Sequence, residues 1–372
     1  MKIAIVTESF HPQVNGVTNT VERMLDRFAE TGHEALVVAP GAGPSSYAGT
    51  PVVRVRSFAL PGYRSFRVGL PDAEVRRALA AFAPDVVHLA SPVALGAVGL
   101  AAARRLTLPT VAVFQTDVPG FARQYGLTAG RLIDRWAGRL HRQCDRTLVP
   151  SRASYAQLHD LGVRDLHYWR RGVDTELFSP LRRSTRLRDS WGADDGLTVV
   201  GYVGRVAAEK EIHRLSEIAG LPHIRLVVVG DGPARPGLER QLPRAVFTGM
   251  LRGSHLAAAY ASLDVFVHTG TAETFCQTVQ EAQASGVAAI APAVGGPLDL
   301  IQQGRTGLLY DPAAEGTLRH AVESLVDDPL QRRRIAASAR AAVARRTWAG
   351  VVDELVHVHY PAVIGSTTAH AA

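Results

Sequence analysis

Two acidic side chains, Glu273 and Glu281, lie eight positions apart around the start of an expected helix. The stretch TAETFCQTVQEAQASG follows the strand-like run DVFVHT, so Glu273 falls in a loop and Glu281 in the first turns of the helix. Positive partial charge is expected on the main-chain amides at this helix start, those of Phe275, Cys276 and Gln277. These amides could hold an anion while the two acids accept hydrogen bonds from sugar hydroxyls. On this stretch alone, the simpler interpretation is that Glu273 is a first-turn acid favoured by the helix dipole and that Glu281 is an ordinary acid on the helix surface.

A second candidate site follows the run LTVVGYVG (197–204), where GRVAAEK leads out of an expected buried strand. Arg205 and Lys210 are five positions apart there, so a guanidinium and an ammonium could grip a diphosphate from two sides. The alternative is a solvated pair between Glu209 and Lys210. Lys210 is conspicuous because the only other lysine of the chain is Lys2.

Glycine-rich turns follow two further strand-like runs. Gly230 and Asp231 end the run VVVGDGP, and Gly16 precedes a helix expected from about residue 18, where main chain could approach a phosphate. A tight turn with an aspartate cap, or a simple turn glycine, explains either stretch equally well. Neither matches the G-x-G-x-x-G pattern, so the sequence does not support a nicotinamide dehydrogenase.

The elements that must position these residues alternate between short apolar strands and helices. This alternation runs to about residue 169, is interrupted by the polar stretch 170–196, and restarts at 197. It predicts βαβ units with parallel sheets buried on both faces. We therefore expect two doubly wound α/β domains, whose ligands bind beyond the carboxyl ends of the strands. The segment 58–71 is expected to be a binding loop, and the tail from 313 to about 360 to be helical.

The composition is that of a globular protein, with 47% hydrophobic and 20% charged residues among 372. No apolar run reaches the ~18 residues that span a bilayer, and the N-terminus lacks the features of a signal peptide. The two cysteines, Cys144 and Cys276, are far apart, which favours a reducing, cytoplasmic setting. The net charge of +7 suits phosphate ligands or an anionic membrane surface. The basic residues are too sparse to indicate a nucleic-acid site.

Together these motifs resemble the retaining GT-B glycosyltransferases of family 4, the "group 1" transferases. The matching stretches are PQVNGV with Gly16, GRVAAEK, VVVGDGP, the Glu273–Glu281 pair, and VGGPLDLI…GRTGLLYDP (294–312). Within that family the chain looks most like actinobacterial GDP-mannose-dependent α-mannosyltransferases of cell-envelope glycolipids. The resemblance implies two Rossmann-like domains facing across a cleft. Residues 1–172 would bind the acceptor, with a helix at about 347–362 packing back on them, and residues 173–346 would bind the donor.

The resemblance also implies roles for individual residues. Arg205 and Lys210 would neutralise the donor diphosphate, and Glu273 would hold the donor sugar as the third catalytic residue. The implied donor-binding residues are Gly16, Gln115, Gly230, Asp231, Phe275, Cys276, Gln277 and Glu281. Related enzymes carry a histidine where this chain has Gln115, and because glutamine cannot carry a proton we expect it only to position the donor.

Candidate acceptor-binding residues are Asn15, Arg64, Arg67 and Asp117. We expect neither a metal nor another cofactor, because the sequence contains no D-x-D triplet and its histidines show no ligand spacing. His11, His88, His213 and His268 are interpreted as structural.

The expected function is transfer of α-mannose from GDP-mannose to a lipid-linked or glycan acceptor, by an enzyme in contact with the inner face of the plasma membrane. The arginine-rich helix 131–142 would touch anionic lipid, although an amphipathic domain helix explains its pattern as well. Two alternatives remain: a transferase of the same fold that uses a UDP-sugar, and a non-catalytic sugar-nucleotide or glycan-binding protein.

Overall fold

The computed structural model describes residues 1–13, 15–60, 63–69, 73–116, 130–193 and 196–370. Within these ranges, the side chains of 59–60, 63–69, 131 and 366–370 are not described. The chain divides into two compact units, one formed by Met1–Arg171 and Trp348–Ala372, the other by Gly172–Thr347. The sequence had placed this division between residues 172 and 173.

The first unit is built on a sheet of eight strands with helices around it. Its strands are β1 (Lys2–Thr7), β2 (Glu34–Pro40), β3 (Ser46–Tyr47), β4 (Thr50–Val55), β7 (Val86–Ala90), β8 (Thr110–Val113), β9 (Arg146–Val149) and β10 (Leu166–Tyr168), and β5 (Ser57–Leu60) and β6 (Tyr63–Gly69) form a separate pair. Its helices are α1 (Gly16–Glu30), α2 (Ala73–Phe82), α3 (Leu95–Arg105), α4 (Gly130–His141) and α5 (Arg152–Asp160). The strand order is β10-β9-β8-β7-β1-β2-β4-β3, with every pairing parallel except β3–β4.

The second unit is built on a parallel sheet of six strands. These are β11 (Thr198–Val203), β12 (Ile224–Val229), β13 (Val246–Gly249), β14 (Val265–Val267), β15 (Ala288–Pro292) and β16 (Leu308–Tyr310), in the order β13-β12-β11-β14-β15-β16. Its α-helices are α6 (Thr185–Ser190), α7 (Arg235–Gln241), α8 (Gly253–Ser262), α9 (Gln277–Ala284), α10 (Pro297–Leu300), α11 (Thr317–Asp327) and α12 (Pro329–Val343). The 3₁₀ helices Pro180–Arg182, Ala208–Lys210 and Ile212–Glu217 complete it.

Each sheet lies in the interior of its unit, because its strands are apolar on both faces and both faces must be covered. In β1, Ile3 through Val6 are completely buried, and their side chains alternate between two hydrophobic clusters on opposite faces. In the second unit, Val199 and Val200 divide in the same way. The alternation read from the sequence is therefore confirmed as two α/β units with parallel sheets.

One local expectation was wrong, and one stretch is more regular than its sequence pattern indicated. The segment 58–71 is not simply a loop, because β5 and β6 within it pair as antiparallel strands. The aromatic residues of this segment, Tyr63 and Phe66, are of types that suit a strand as well as a flexible loop. The stretch 170–196 also contains the short helix α6, whose first turn is capped by the Ser184 hydroxyl.

The end of the chain packs on the first unit. Helix α13 (Trp348–Glu354), the π-helical turn Leu355–His359 and helix α14 (Tyr360–His370) follow one another there. Trp169 donates its indole N–H to the Val351 carbonyl at 2.9 Å, and the Tyr360 hydroxyl lies 3.0 Å from Nδ1 of His88. Residues from this segment thus complete the hydrophobic core around β1 and α1.

Candidate active site

The loops that follow β11 and β12 pack main chain against main chain, which explains their glycines. A Cβ atom at Gly230 would lie 1.9 Å from the Gly204 carbonyl oxygen, and one at Gly232 would lie 2.3 Å from that of Val206. Gly230 also has a φ of +140°, which side chains rarely allow. The carboxylate of Asp231 accepts from the Gly232 amide at 2.8 Å and lies 3.4 Å from Arg235. This turn therefore fixes the position of the loop after β11.

That loop carries Arg205 and Lys210, and both cations pair with carboxylates. Lys210 Nζ donates to Glu273 Oε1 at 2.6 Å, and Arg205 Nη1 donates to Glu209 Oε1 at 3.2 Å. In the structure, Lys210 therefore pairs with Glu273, and Arg205 pairs with Glu209. Glu209, the alternative partner that the sequence left open, lies closer to Arg205 and acts on Lys210 as a nearby charge that helps to raise its pKa.

Glu273 lies between two cationic side chains. Nε2 of the buried His268 is 3.4 Å from the same carboxylate oxygen that Lys210 contacts. Burial alone would raise the pKa of Glu273, but the charges of Lys210 and His268 outweigh it and hold the pKa well below its usual value. Burial would likewise lower the pKa of Lys210, and Glu273 reverses the shift so that the pKa is raised. The pair is thus ionised over the whole neutral range.

His268, interpreted from the sequence as structural, lies beside the candidate site residues Glu273 and Cys276. Burial lowers its pKa, but the neighbouring Cys276 and Glu273 side chains raise it to about 10. The available signal was its position as the first residue after β14, five residues before Glu273.

His268, Glu273 and Cys276 each place one potential ligand atom within 4.8 Å of the other two. Nitrogen, oxygen and sulfur in this combination suit a borderline metal such as zinc. However, Lys210 already contacts the Glu273 oxygen, and a divalent cation would have to displace its ammonium. The Glu273 carboxylate is therefore already paired with a cation of the protein itself.

Helix α9 begins just after these residues, as expected. Cys276 is its N-cap, in the left-handed conformation with a φ of 74°, and no side chain caps the first turn. The backbone of Phe275 packs so closely on Gly296 that a Cβ atom there would lie 2.5 Å away. Gln277 donates through its side-chain amide to the Gly172 carbonyl at 2.9 Å. The contacts with Gly296 and Gly172 thus fix the start of α9. The main-chain amides of this helix start directly follow the loop that carries Glu273.

Glu281 lies in the second turn of α9 and has a partner that the sequence did not reveal. The buried Tyr260, from α8, donates its hydroxyl to Glu281 Oε2 at 2.9 Å. Burial raises the pKa of Tyr260 well above its usual value, and the Glu281 charge adds to this. Tyr260 therefore stays a hydrogen-bond donor and orients the carboxylate. Twenty-one residues separate the two, so no local pattern could have linked them.

In the first unit, three candidate residues lie around the start of α1. Asn15 caps the helix, because its side-chain oxygen accepts from the amides of Val17 and Thr18 at 3.0 and 3.1 Å. Its side-chain N–H donates to Ser9. Capping accounts for Asn15 without an acceptor ligand, and it begins the helix at Gly16 rather than at residue 18.

Arg171, which the sequence pattern did not indicate as a candidate, connects the other two. Its Nη2 donates to Gln115 Oε1 at 3.0 Å, and a Cβ atom at Gly16 would lie 2.9 Å from its Nη1. Arg171 is 9% exposed. Gly16 thus leaves room for a buried guanidinium that reaches the carboxyl end of β8. Only the doublet Arg170–Arg171, within an irregular stretch, could have drawn attention to it.

The structure does not describe the side chains of the remaining acceptor candidates. Arg64 and Arg67 lie on β6, but their side chains are not described, and Asp117 lies outside the described residues.

Comparison with known proteins agrees with this architecture. Residues 14–177 match the model of Glycosyltransferase Family 4, and residues 183–342 match that of Glycosyl transferases group 1. The GDP-mannose-dependent alpha-mannosyltransferase of Mycobacterium tuberculosis is 50% identical, covering 100% of this chain and 99% of its own. That of Corynebacterium glutamicum is 44% identical, covering 98% and 89%.

Among solved structures, Anabaena Alr3699/HepE in complex with UDP is similar, with a TM-score of 0.79 and 21% identity over 96% of this chain and 98% of that one. This likeness establishes the GT-B fold. The family models and the long alignments at 44–50% identity establish more than the fold. The chain belongs to the family 4, group 1 glycosyltransferases and is a hexosyltransferase.

Proposed function

We propose that this enzyme transfers α-mannose from GDP-mannose, with retention of configuration, to a lipid-linked or glycan acceptor of the cell envelope. The observation that carries the proposal is the identity of 44–50% with GDP-mannose-dependent alpha-mannosyltransferases along almost the whole chain. The geometry also supports the proposal, because Lys210 and Glu273 form an ion pair next to the start of α9 within one unit.

Lys210 is the residue to which we assign neutralisation of the donor diphosphate. Its ammonium has three N–H donors, so it can retain its hydrogen bond to Glu273 and still donate to a phosphate oxygen. Arg205, which follows the same strand, would add a second positive charge. Because charge grows on the leaving diphosphate during transfer, cations fixed in a partly buried site stabilise the transition state more than the ground state.

Glu273 and Glu281 are the acids to which we assign the hydroxyl groups of the donor. Glu273, held ionised by Lys210 and His268, would accept from hydroxyls of the sugar. Glu281, oriented by Tyr260, would accept from those of the ribose. The amides that start α9 would bind sugar and phosphate. The departing phosphate would itself take the proton of the attacking hydroxyl, so that the side chains orient the reactants and exclude competing geometries.

A thermal-shift comparison of GDP, UDP and ADP, followed by a transfer assay with each sugar nucleotide, tests the donor. A ligand at 100 times its Kd stabilises the folded enzyme by about 2.7 kcal/mol, which is a measurable shift. We expect GDP to raise the Tm most and GDP-mannose to be turned over. A larger shift with UDP, together with turnover of a UDP-sugar only, would replace the proposal with the UDP alternative.

We further propose that the enzyme works on the cytoplasmic surface of the membrane, with helix α4 against anionic lipid. Leu132 and Trp136, one turn apart, are 66% and 44% exposed, and Arg135 and Arg139 are exposed beside them. Apolar and cationic side chains on one helix surface suit an interface of this kind. Among the described residues, no helix has both the length and the apolar character to cross a bilayer.

Co-sedimentation with vesicles that contain anionic phospholipid tests this docking. We expect salt-sensitive binding that Leu132→Ser weakens several-fold. Val358→Ser, at a residue 54% exposed elsewhere in the same unit, is the matched control and should bind normally. Binding that depends on neither anionic lipid nor salt, or equal loss in both variants, would contradict the docking.

A further inference from the structure

Glu211, directly after Lys210, has an unusual backbone conformation. Its φ of 48° and ψ of 36° place it in the left-handed region, where residues other than glycine are strained. It separates the 3₁₀ helix Ala208–Lys210 from the 3₁₀ helix Ile212–Glu217. Strain of this kind persists only where surrounding contacts enforce it, so the contacts of Glu211 need an explanation.

The Glu211 carboxylate connects two loops. It accepts from the Thr271 amide at 3.3 Å and from the Thr271 hydroxyl, and its other oxygen accepts from Arg214 Nε at 2.8 Å. Burial would raise the pKa of Glu211, but the bonds from Thr271 and Arg214 outweigh it and lower the pKa. An ionised carboxylate therefore ties the loop after β11 to the loop after β14.

Two more bonds join the same loops on either side of this tie. The Thr269 hydroxyl donates to the Lys210 carbonyl at 2.6 Å, and Lys210 Nζ donates to Glu273 at 2.6 Å. Between them, a Cβ atom on Gly270 would lie 3.4 Å from Cα of Lys210. The backbone that carries Lys210 is thus fixed against the backbone that carries Glu273.

We propose that Glu211 is a positioning residue, whose bond to Thr271 holds the strained turn and so sets the separation of Lys210 from Glu273. The proposal rests on the proposed roles of those two residues. β11 and β14 are neighbouring strands, and Lys210 reaches Glu273 from the loop after one to the loop after the other through a long, flexible side chain. A displacement of about 1 Å in such an arrangement can slow turnover about 100-fold.

Replacing Glu211 by glycine removes the bond to Thr271 without adding backbone strain. Glycine adopts the left-handed conformation freely, so Glu211→Gly removes the strain and the carboxylate together. His223 is the matched control, because it has a φ of 60° and lies in the turn before β12, at the opposite, amino-terminal edge of the sheet. We expect both glycine variants to keep a Tm close to that of the wild type. Only Glu211→Gly should lose at least 10-fold in kcat, with the KM for the donor changed less than 3-fold.

Two further variants separate positioning from a general structural role. Glu211→Gln keeps an oxygen that can accept from Thr271 and should restore kcat to within about 3-fold. Glu211→Asn tolerates the left-handed region but is one methylene shorter, so it should match the glycine variant even if that variant folds poorly. Thr271→Val should be nearly as slow, and combining it with Glu211→Gly should add little, because both remove one tie.

The proposal is overturned if Glu211→Gly and Glu211→Asn turn over like His223→Gly, or if the double variant shows the full product of the two single losses. Lys210→Ala, measured alongside, shows which inference has failed. If Lys210→Ala is also fully active, the assignment of the site is wrong. If it is inactive while the Glu211 variants are normal, only the tie is wrong.

Discussion

Replacing Lys210 by methionine should affect both the stability and the activity of the enzyme, and the two effects can be separated. The ammonium lies 2.6 Å from Glu273, with 26% and 17% of the two side chains exposed. At an effective dielectric constant of about 20, their attraction is about 6 kcal/mol before the cost of desolvation is subtracted. Removing one partner of a buried pair usually costs about 3–5 kcal/mol. Because His268 remains beside Glu273, we expect a loss of about 2 kcal/mol.

The expected loss of activity is larger. Removing one group that stabilises transition-state charge typically lowers kcat about 100- to 1,000-fold. In the double variant Lys210→Met/Glu273→Gln no carboxylate is left without its partner, so much of the lost stability should return. The activity should not return, because neither the cation nor the acid is present.

Thermal unfolding and turnover of GDP-mannose measure the two effects on the same samples. A loss of about 2 kcal/mol corresponds to a fall in Tm of about 4–8 °C for a unit of this size. Lys2→Met is the control, since Lys2 is the other lysine and pairs with Glu34 at 3.6 Å on the surface. It should change neither quantity appreciably. Turnover by Lys210→Met within 5-fold of that control, or recovery of activity in the double variant, would refute the reasoning.

Three further predictions concern the supports of the fold and site. His88 is buried and its pKa is lowered to about 3 by burial, so the unfolded chain binds its proton first as the pH falls below about 6.5. Because of His88, the free energy of unfolding should therefore fall by about 1.4 kcal/mol for each unit by which the pH is lowered from 6 to 4. In denaturant titrations, the free energy of unfolding of His88→Gln should depend less steeply on pH. Gly296→Ala places a methyl group against Phe275, and we expect a loss of more than about 2 kcal/mol together with weaker binding of GDP in calorimetry. Tyr260→Phe removes the bond to Glu281, and we expect a loss of about 1.5–3 kcal/mol and a higher KM for the donor.

Each of these predictions has a clear contrary result. An unchanged slope of stability against pH in His88→Gln would mean that other groups cause the acid sensitivity. Normal stability of Gly296→Ala would mean that the loops can separate at no cost. A Tyr260→Phe enzyme with the KM of the wild type would show that the orientation of Glu281 does not depend on this hydroxyl.

Local pattern predicted much of the fold. Apolar runs such as residues 2–7 and 197–203 became buried strands, because a strand covered on both faces must be apolar throughout. The positions of Glu273 and Glu281 around a helix start also followed from local rules. The hairpin in 58–71 did not, since the register of two short strands depends on long-range packing.

The partners of the site residues could not be predicted in this way. Lys210 and Glu273 are sixty-three positions apart, and Gln115 and Arg171 are fifty-six. Such pairs arise because parallel strands bring their following loops to the same edge, whatever their distance in sequence. The sequence therefore indicated candidate site residues, while the three-dimensional arrangement decided which of them meet.

The chain enters the second unit after Arg171 and leaves it before Trp348, and this has a consequence for synthesis on the ribosome. Val351, Leu355 and Tyr360, which complete the hydrophobic interior of the first unit, are made only after the whole of Gly172–Thr347. Residues 1–171 therefore stay without part of their interior until the second unit has been translated, whereas Gly172–Thr347 is available in full before then. The second unit should therefore be able to fold before the first unit is complete.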